Sequence, residues 1–358
     1  MSETSAKPRA GTAADDYELV PAVSVDHAAL VDFVRAIWPE LAPEARIRAF
    51  WWKRAGPEHA VAAVDRTSGT MAGLCGGRHC VFGIGGRDVP AVAICDWYVA
   101  PGHVGRGLGK RLVRHFEKPE RFLYAFSISD AAIANFQKLG WMGPYRSSLM
   151  LLLVPPVLAK HVARLRRQPG LSLDFHERAG GELLGPLGET FDRIEAHRAG
   201  APAHMRRSAA EWSWRLSVCG GRRYRFCVAR RAGDPVGYVA VRRMTPGRSR
   251  GLDRLRAAII TDLAAVNDDA AVLHALAGGA VALAADLGAR AMLTALTTDA
   301  HRAALARIGF ISPATPLIGR VLAPRAPQFM WLPRGPGDGL SAGDLSLSFA
   351  DVAIDLDL

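Results

Sequence analysis

The sequence predicts an α+β fold made of two similar halves. Three apolar runs with strand periodicity follow one another between residues 59 and 99, and helix and strand patterns alternate only after them. The length of 358 residues suits two domains of similar size. The same order of patterns returns later, and in both halves a helix runs into glycine and an aromatic residue, at Leu139–Trp141 and Ile308–Phe310. We therefore predict an internal duplication in which each half is a mostly antiparallel mixed sheet flanked by helices.

The first half begins after a polar leader, residues 1–16, which we predict to be disordered, and its domain is predicted over residues 17–155. Glycine and proline separate its elements, and Gly140 ends its last helix. The expected strands are at 17–23, 59–64, 71–82, 89–99, 122–128 and 145–154, and the expected helices are at 27–38, from the glycine turn to 117, and at 130–140.

The second half is predicted to follow a basic linker at residues 156–174 that contains proline and glycine. Its domain is expected at 175–323, before a C-terminal extension at 324–358. The expected strands are at 224–230, 236–242, 257–263 and 291–295, and the expected helices start near 191 and span 269–287 and 299–308.

The composition indicates a globular protein. Hydrophobic residues make up 49% and charged residues 22% of the chain, a balance that excludes wholesale disorder. The apolar run Leu149–Val154 is far shorter than the roughly 20 residues that a membrane-spanning helix needs. The first residues lack the apolar core of a secretory signal. We therefore expect a cytoplasmic protein without a transmembrane segment.

The charge and the cysteines narrow the candidate ligands. The formal net charge of +11 favours anionic ligands, but the arginines are spread along the chain without the interleaved aromatics of a nucleic-acid module. We therefore expect no specific nucleic-acid partner. The five cysteines form no CxxC pair and have no histidine at a zinc-site spacing, so we expect no metal.

The most informative segment is a glycine turn, Val104–Gly109, between a strand that ends near Pro101 and a helix that contains Lys110. At such a junction the backbone N–H groups converge on one point and the helix dipole adds partial positive charge. Glycine lets the backbone approach a ligand without a Cβ atom in the way. Arg106 and Lys110 add full charges beside the turn. The pattern indicates a site for a pyrophosphate group, although a tight turn can have the same spacing.

This segment resembles motif A of the GNAT acyltransferases, in which a strand is followed by V-x-P and then by [QR]-x-x-G-x-[GA]. Residues 131–141 resemble motif B of the same family, at the right separation. The resemblance covers about 17–155 with both motifs and about 175–323 by element order alone. It implies two tandem GNAT-like domains and an acyl-CoA, most simply acetyl-CoA, as the cosubstrate. The cofactor contacts that it implies are Val99, Val104, Gly105, Arg106, Gly107, Leu108, Gly109, Lys110 and Asn135.

Some segments resemble one subgroup of the family, and two positions depart from the family's pattern. Residues 96–101, 136–141, 211–216 and 343–344 look like those of tandem GNAT proteins found among bacterial exopolysaccharide genes, which would imply an amino sugar or sugar nucleotide as the acceptor. Val104 stands where the motif usually has arginine or glutamine, which removes one side chain but leaves the amides. Phe136 stands where many members have a tyrosine general acid, and it has no proton to give.

Asp96 and Tyr98 are the candidate catalytic residues. Strand alternation puts both side chains on one face, where the carboxylate could act as the base and the phenol as the acid. A structural carboxylate paired with arginine or a backbone amide is the equal alternative for Asp96. Backbone amides near 98–100 would polarise the acyl carbonyl. We expect His103 to face the solvent rather than to act as a base.

In the second half, residues 265–271 align with the glycine turn but contain no glycine, and they place Asp268 and Asp269 where a phosphate should lie. Because these carboxylates would repel an anion, we predict that the second copy is degenerate. The predicted function is an acyl-CoA-dependent N-acyltransferase acting on the amine of a small molecule by direct attack in a ternary complex. A non-catalytic acyl-CoA-binding or scaffold protein is the alternative.

Overall fold

The computed structural model divides the chain into two compact units. One unit comprises residues 1–79 and 94–118, and the other comprises 80–93 and 119–358. This division by compactness differs from the division by element order at residue 155, which stays a prediction. The leader at 1–15 lies outside the described residues. The structure describes residues 16–37, 56–154, 168–179, 182–198, 202–218, 223–244, 256–311, 315 and 326–351.

In its described residues, the first unit is a small antiparallel sheet with two α-helices. Its strands are β1 (Tyr17–Pro21), β2 (Ala60–Asp65) and the adjoining parts of β3 (Met71–Ile84) and β4 (Arg87–Val99), in the order β1-β2-β3-β4. Its helices are α1 (His27–Ile37) and α2 (Leu108–Arg114). The apolar residues of α1 recur every three or four positions and are buried, as expected for an amphipathic helix on a sheet.

The second unit has two groups of strands. The first includes the remaining parts of β3 and β4. Its further elements are β5 (Phe122–Phe126), α3 (Asp130–Lys138), β6 (Met142–Arg146), β9 (Ala203–Met205), β14 (Gln328–Trp331) and β15 (Leu345–Ser346). Strand β14 pairs antiparallel with both β5 and β6.

The other group is a six-stranded sheet with the order β7-β13-β12-β11-β10-β8. Its strands are β7 (Ser148–Leu153), β8 (Leu171–Ala179), β10 (Arg223–Arg231), β11 (Asp234–Arg243), β12 (Ala257–Ala265) and β13 (Ala291–Leu296). The helices of this part are α4 (Pro186–Ala196), α5 (Ala209–Val218), α6 (Ala270–Asp286) and α7 (Asp299–Arg307). Helix α6 is almost wholly buried in the main core, which explains why its sequence is rich in alanine and leucine and lacks a polar face.

Three strand pairs among the described residues are parallel, namely β9 with β15 over two residues and two further pairs over three residues each. Residues Ala91–Ala93 of β4 pair with Phe122–Tyr124 of β5, and Ala257–Ile259 of β12 pair with Ala291–Leu293 of β13. All four strands run on beyond these paired residues. A parallel pair of three residues therefore occurs both before and after residue 155, and the internal duplication stays a prediction. The α+β fold class is confirmed.

The chain crosses between the sheets in ways that the sequence did not indicate. The single strand expected at 145–154 is two strands, because β6 pairs with β14 while β7 pairs with β13 in the other sheet. Strand β8 starts at Leu171, inside the expected linker. The expected C-terminal extension supplies β14 to the first sheet. Pairing between residues this far apart in sequence leaves no local signal.

A buried ionic cluster joins α4 to β9. The carboxylate of Glu195 accepts hydrogen bonds from Arg198 (2.8 Å) and from the ring of His204 (3.2 Å). Burial by itself would raise the pKa of Glu195, but the hydrogen bond from His204 and the charge of Arg198 outweigh it and lower this pKa from 4.5 to about 2. The ionised carboxylate therefore stabilises the folded chain.

We expect Glu195→Gln to lower the free energy of unfolding near neutral pH by on the order of 3 kcal/mol, because a depressed carboxyl pKa contributes stability above the unfolded-state value. This difference between parent and variant should shrink as the pH falls from about 4.5 towards about 2. Urea unfolding of both proteins across this pH range measures it. The matched control is Glu189→Gln on the same helix. A difference that does not change with pH would contradict the assignment.

Candidate functional site

The glycine turn has the geometry of an open anion cradle. Gly105 and Gly107 have φ values of +84° and +76°, in the left-handed region that favours glycine. Gly107 is the N-cap of α2 and has no side chain to bond the first amides of the helix. The first helical hydrogen bond runs from Arg111 N–H to the Gly107 carbonyl, so the N–H groups of residues 108–110 have no acceptor within the helix.

The glycines of the turn serve different purposes. A Cβ atom on Gly105 or Gly107 would meet no atom within 4 Å, so a ligand can approach the backbone there. A Cβ atom on Gly109 would lie 3.3 Å from the ring of Trp97, and the Trp97 ring N–H already donates to the Gly109 carbonyl (3.1 Å). A side chain on Gly109 would therefore meet Trp97 first. Gly109 permits close packing of α2 on β4.

The side chains of the turn divide into anchors and exposed groups. Leu108 is buried in the unit, whereas Val104 is 65% exposed and Arg106 and Lys110 face the solvent. Arg106 Nη1 donates to the hydroxyl of Tyr17 (3.3 Å). Two cationic side chains thus stand beside the open amides, where they favour an anionic ligand.

Tyr17 and His103 hold this turn to β1. The Tyr17 hydroxyl is 3.0 Å from His103 Nδ1, and the two rings pack edge to face. His103 Nδ1 is also 3.8 Å from the carboxylate of Asp65. His103 is therefore half-buried in this cluster. The expectation that it faces the solvent is wrong. Tyr17 was missed by sequence reasoning, because it lies 86 residues before His103 and carries no motif.

The structure changes the geometry assumed for Asp96 and Tyr98. Asp96 has φ +46°, a left-handed residue inside β4, and this interrupts the simple alternation that put the two side chains on one face. The ring of Tyr98 packs against Phe33 of α1. The amide of Ala100 donates to the carbonyl of Ala72 (2.9 Å), so it is already engaged and does not serve as a free oxyanion donor.

Motif B forms α3, which belongs to the other compact unit. Asn135 is exposed, and its amide donates to the Ala131 carbonyl (3.3 Å) within the helix. Phe136 is buried against Trp141, with ring centroids 4.5 Å apart. The ring at the usual tyrosine position is therefore part of the core.

In the second half, the position equivalent to the glycine turn is closed by its own side chain. Asn267 and Asp268 adopt left-handed φ values without glycine, which asparagine and aspartate tolerate better than most residues. The Asp269 carboxylate accepts from the amides of Ala271 (2.9 Å) and Val272 (3.2 Å) at the start of α6. A carboxylate of the chain thus takes the amides that a phosphate would need.

The space between β12 and β13 is also filled. Residues 345–351 lie on the edge of β13 that faces β12, because the opposite edge is paired with β7. Thr297 N–H donates to the Leu347 carbonyl (3.3 Å), and the Ser348 hydroxyl donates to Asp262 of β12 (2.8 Å). Asp351 and Asp262 both bind the guanidinium of Arg207. The C-terminal segment is therefore tied to both strands by a buried polar network.

Comparisons with known proteins agree on the class of the first half. Residues 27–141 match the family model described as acetyltransferase (GNAT) family. No curated protein matches the chain in sequence. The structure is similar to a GCN5-related N-acetyltransferase from Anabaena variabilis, with a TM-score of 0.55 and 12% identity over 88% of this chain and 72% of that one.

Two further solved structures are similar. A probable N-acyltransferase from Enterococcus faecalis has a TM-score of 0.56 and 10% identity, over 88% of this chain and 71% of that one. The N-myristoyltransferase of Saccharomyces cerevisiae with bound myristoyl-CoA has a TM-score of 0.50 and 10% identity, over 98% of this chain and 95% of that one. At such low identity these likenesses show the fold.

By class, the protein is an acyltransferase. It carries an acetyltransferase (GNAT) domain, and this part of the resemblance seen in the sequence is confirmed. Enzymes of this fold use acyl-CoA. In the part of the chain that the structure describes, no three His, Cys, Asp or Glu side chains are grouped to hold a metal ion. No helix among the described residues is long and apolar enough to cross a membrane.

The contrast between the two halves predicts one coenzyme A site per chain. The amides after Gly107 stay open, whereas Asp269 and residues 345–351 close the places that the sequence aligns with them. Titration calorimetry with coenzyme A should therefore give a stoichiometry near one, and Gly107→Val should abolish the binding heat. A stoichiometry near two, or tight binding retained by Gly107→Val, would contradict this assignment.

Proposed function

We propose that this chain is a cytoplasmic N-acyltransferase that moves an acyl group, most simply acetyl, from coenzyme A to the amine of a small molecule. The observation that supports it most is the open glycine turn at the start of α2, inside the stretch that matches the acetyltransferase (GNAT) family. Amino sugars and sugar nucleotides are the acceptors that the sequence resemblance suggests.

In this proposal the pyrophosphate of the cosubstrate binds at the turn. The amides of residues 108–110 donate to phosphate oxygens, and Arg106 and Lys110 contribute charge. Gly105 and Gly107 allow the approach, since a ligand there meets no Cβ atom. Val99 and Val104 complete the contacts that the family resemblance implies within this unit. The thioester supplies an activated carbonyl, and the chain supplies orientation and a proton acceptor.

The transfer forms one C–N bond and breaks one C–S bond. The nitrogen of the acceptor attacks the thioester carbonyl carbon, and the proton of the amine passes to the carboxylate of Asp96 directly or through water. The departing thiolate takes a proton from Tyr98 or from water. Phe136 has no part in this step because its ring has no exchangeable proton.

Release of free thiol from acetyl-CoA tests the proposal, with the full chain and a panel of amines that includes amino sugars. We expect thiol release above the no-amine background with at least one small amine, together with an N-acetylated product by mass spectrometry. The buried phenylalanine at the usual tyrosine position favours the second candidate, a non-catalytic acyl-CoA-binding protein. Saturable coenzyme A binding without turnover on any amine would support that candidate and contradict ours.

Gly107→Ala tests the cofactor turn. The new Cβ atom would point towards the ligand, and the left-handed φ would be strained, so we expect affinity for coenzyme A to fall by about tenfold, equivalent to about 1.4 kcal/mol. Gly69→Ala is the matched control, because Gly69 has φ +69°, lies in the same unit and has equally open surroundings. Calorimetry should show normal affinity for the control. Equal loss in both variants would mean that backbone strain alone is responsible.

Asp96→Asn tests the proposed base. It keeps the shape and hydrogen-bonding capacity of the side chain and should lower kcat by roughly 10²-fold or more, the range that a positioned general base contributes, with coenzyme A affinity unchanged. Asp32→Asn on the exposed side of α1 is the control and should turn over normally. If Asp96→Asn turns over like the parent, the carboxylate is structural. Thermal unfolding checks that both variants are folded.

A further inference from the structure

Arg106 is an exposed side chain whose position is fixed by a buried one. Its Nη1 atom donates to the hydroxyl oxygen of Tyr17 (3.3 Å), and Tyr17 is only 2% exposed. A long cationic side chain on the surface normally samples many rotamers, and a ligand that uses it has to offset the entropy of fixing it. Because Tyr17 already holds Arg106 in the free protein, this cost of binding is reduced at the glycine turn.

The hydroxyl of Tyr17 is itself oriented. A guanidinium can only donate, so the oxygen of Tyr17 accepts from Arg106, and its hydrogen is left to donate to Nδ1 of His103, 3.0 Å away. The rings of Tyr17 and His103 also pack edge to face, with centroids 5.6 Å apart. Both the acceptor and the donor of this hydroxyl are therefore engaged, which fixes the direction in which it accepts from Arg106.

The sheet supplies a rigid base for this contact. Tyr17 of β1 lies opposite Asp65 of β2 in the antiparallel pairing. The carboxylate of Asp65 accepts from the amides of Thr67 (2.9 Å) and Ser68 (2.9 Å), and it lies 3.8 Å from Nδ1 of His103. A series of polar contacts thus runs from the turn after β2 through His103 and Tyr17 to the guanidinium of Arg106.

The charge of Arg106 stays available to a ligand. Among the described residues, no carboxylate forms an ion pair with it, and Tyr17 is the one side chain that bonds its guanidinium. This contact uses one of the several N–H donors of the guanidinium, and the others remain for an anion. Arg106 directly precedes Gly107, the N-cap of α2, so its charge lies beside the open amides of residues 108–110.

We propose that Tyr17, oriented by His103, is a positioning residue that holds the guanidinium of Arg106 in place for the pyrophosphate of coenzyme A. The inference rests on the proposed binding of coenzyme A at the glycine turn and adds the residue that prepares the charge there. The pyrophosphate is assigned rather than the 3′-phosphate of the nucleotide, because Arg106 belongs to the turn itself and directly precedes the helix start whose amides the pyrophosphate would bind.

A double-mutant cycle tests this role, with the full chain and coenzyme A titrated by calorimetry. Tyr17→Phe keeps the ring but removes the acceptor, so we expect about fivefold weaker binding, the range of one lost hydrogen bond. Arg106→Ala should weaken binding by about tenfold or more, since a charge-assisted contact is lost. The double variant should bind like Arg106→Ala alone, because Tyr17 acts through Arg106.

The dependence of affinity on salt separates positioning from a merely structural role. In both single variants the affinity should fall less steeply with added salt than in the parent, because less of the charge of Arg106 acts on the phosphates. Arg114→Ala is the matched control, since Arg114 is exposed on the same helix about 10 Å further along its axis, where its charge is largely screened. This control should keep the affinity and the salt dependence of the parent.

A second variant keeps the test decisive if thermal unfolding shows that Tyr17→Phe does not fold. His103→Phe retains a ring against Tyr17 but removes the Nδ1 acceptor, so the hydroxyl is no longer oriented. We expect a smaller loss of affinity than for Arg106→Ala, and no further loss when the two changes are combined. Unchanged affinity in His103→Phe, or a further loss in the combined variant, contradicts the positioning role.

Dephospho-coenzyme A, which lacks the 3′-phosphate, identifies the phosphate that Arg106 serves. The same fold losses are expected with this ligand as with coenzyme A. Three results would overturn the inference and leave the proposed function in place: a loss with coenzyme A alone, additive losses in the cycle, or a Tyr17→Phe variant with the affinity and salt dependence of the parent. If the parent itself binds no coenzyme A, the proposed function falls together with the inference.

Discussion

The two halves depend on how the first amides are bonded in two helices, α2, which follows β4, and α6, which follows β12. A helix leaves its first amides without an internal acceptor, and something has to bond them. In the first half Gly107 caps the helix without a side chain, so the amides stay open to a ligand or to water. In the second half the Asp269 carboxylate bonds two of them. One side chain at one position separates a ligand-accepting turn from a self-capped one.

The same contrast extends to the strands before each helix. The parallel pairs β4–β5 and β12–β13 are each joined over three residues only, so the strands of each pair run on without pairing to each other. In the second half residues 345–351 bond to both strands, and the charges of Asp262 and Arg207 are buried with them. Removing one member of such a network leaves a buried charge without its partner. In the second half, residues 345–351 therefore occupy the space between β12 and β13 that a ligand-binding groove would need, and their buried network stabilises the fold.

Local sequence patterns predicted the helices and strands but not which of them pair or contact each other. The helix α6, capped by Asp269 and rich in alanine, and the glycine turn could be located from periodicity and turn residues alone. The pairing of β7 with β13 and the contact of Tyr17 with Arg106 could not, because each joins segments more than 80 residues apart that carry no mutual signal.

Asp96 shows how strand alternation can locate a candidate site and still place its side chains wrongly. Alternation assumes extended backbone at every residue, and the left-handed φ of Asp96 breaks that assumption inside the strand that leads to the turn. Such conformations cost energy in non-glycine residues and tend to occur at functional positions. The Cys75 thiol does not act as a proton acceptor at this site. Burial, reinforced by the charge of Asp96, raises the pKa of the Cys75 thiol well above its usual range, so that thiol stays protonated. In the proposed transfer, the Asp96 carboxylate and not a Cys75 thiolate would accept the proton of the amine.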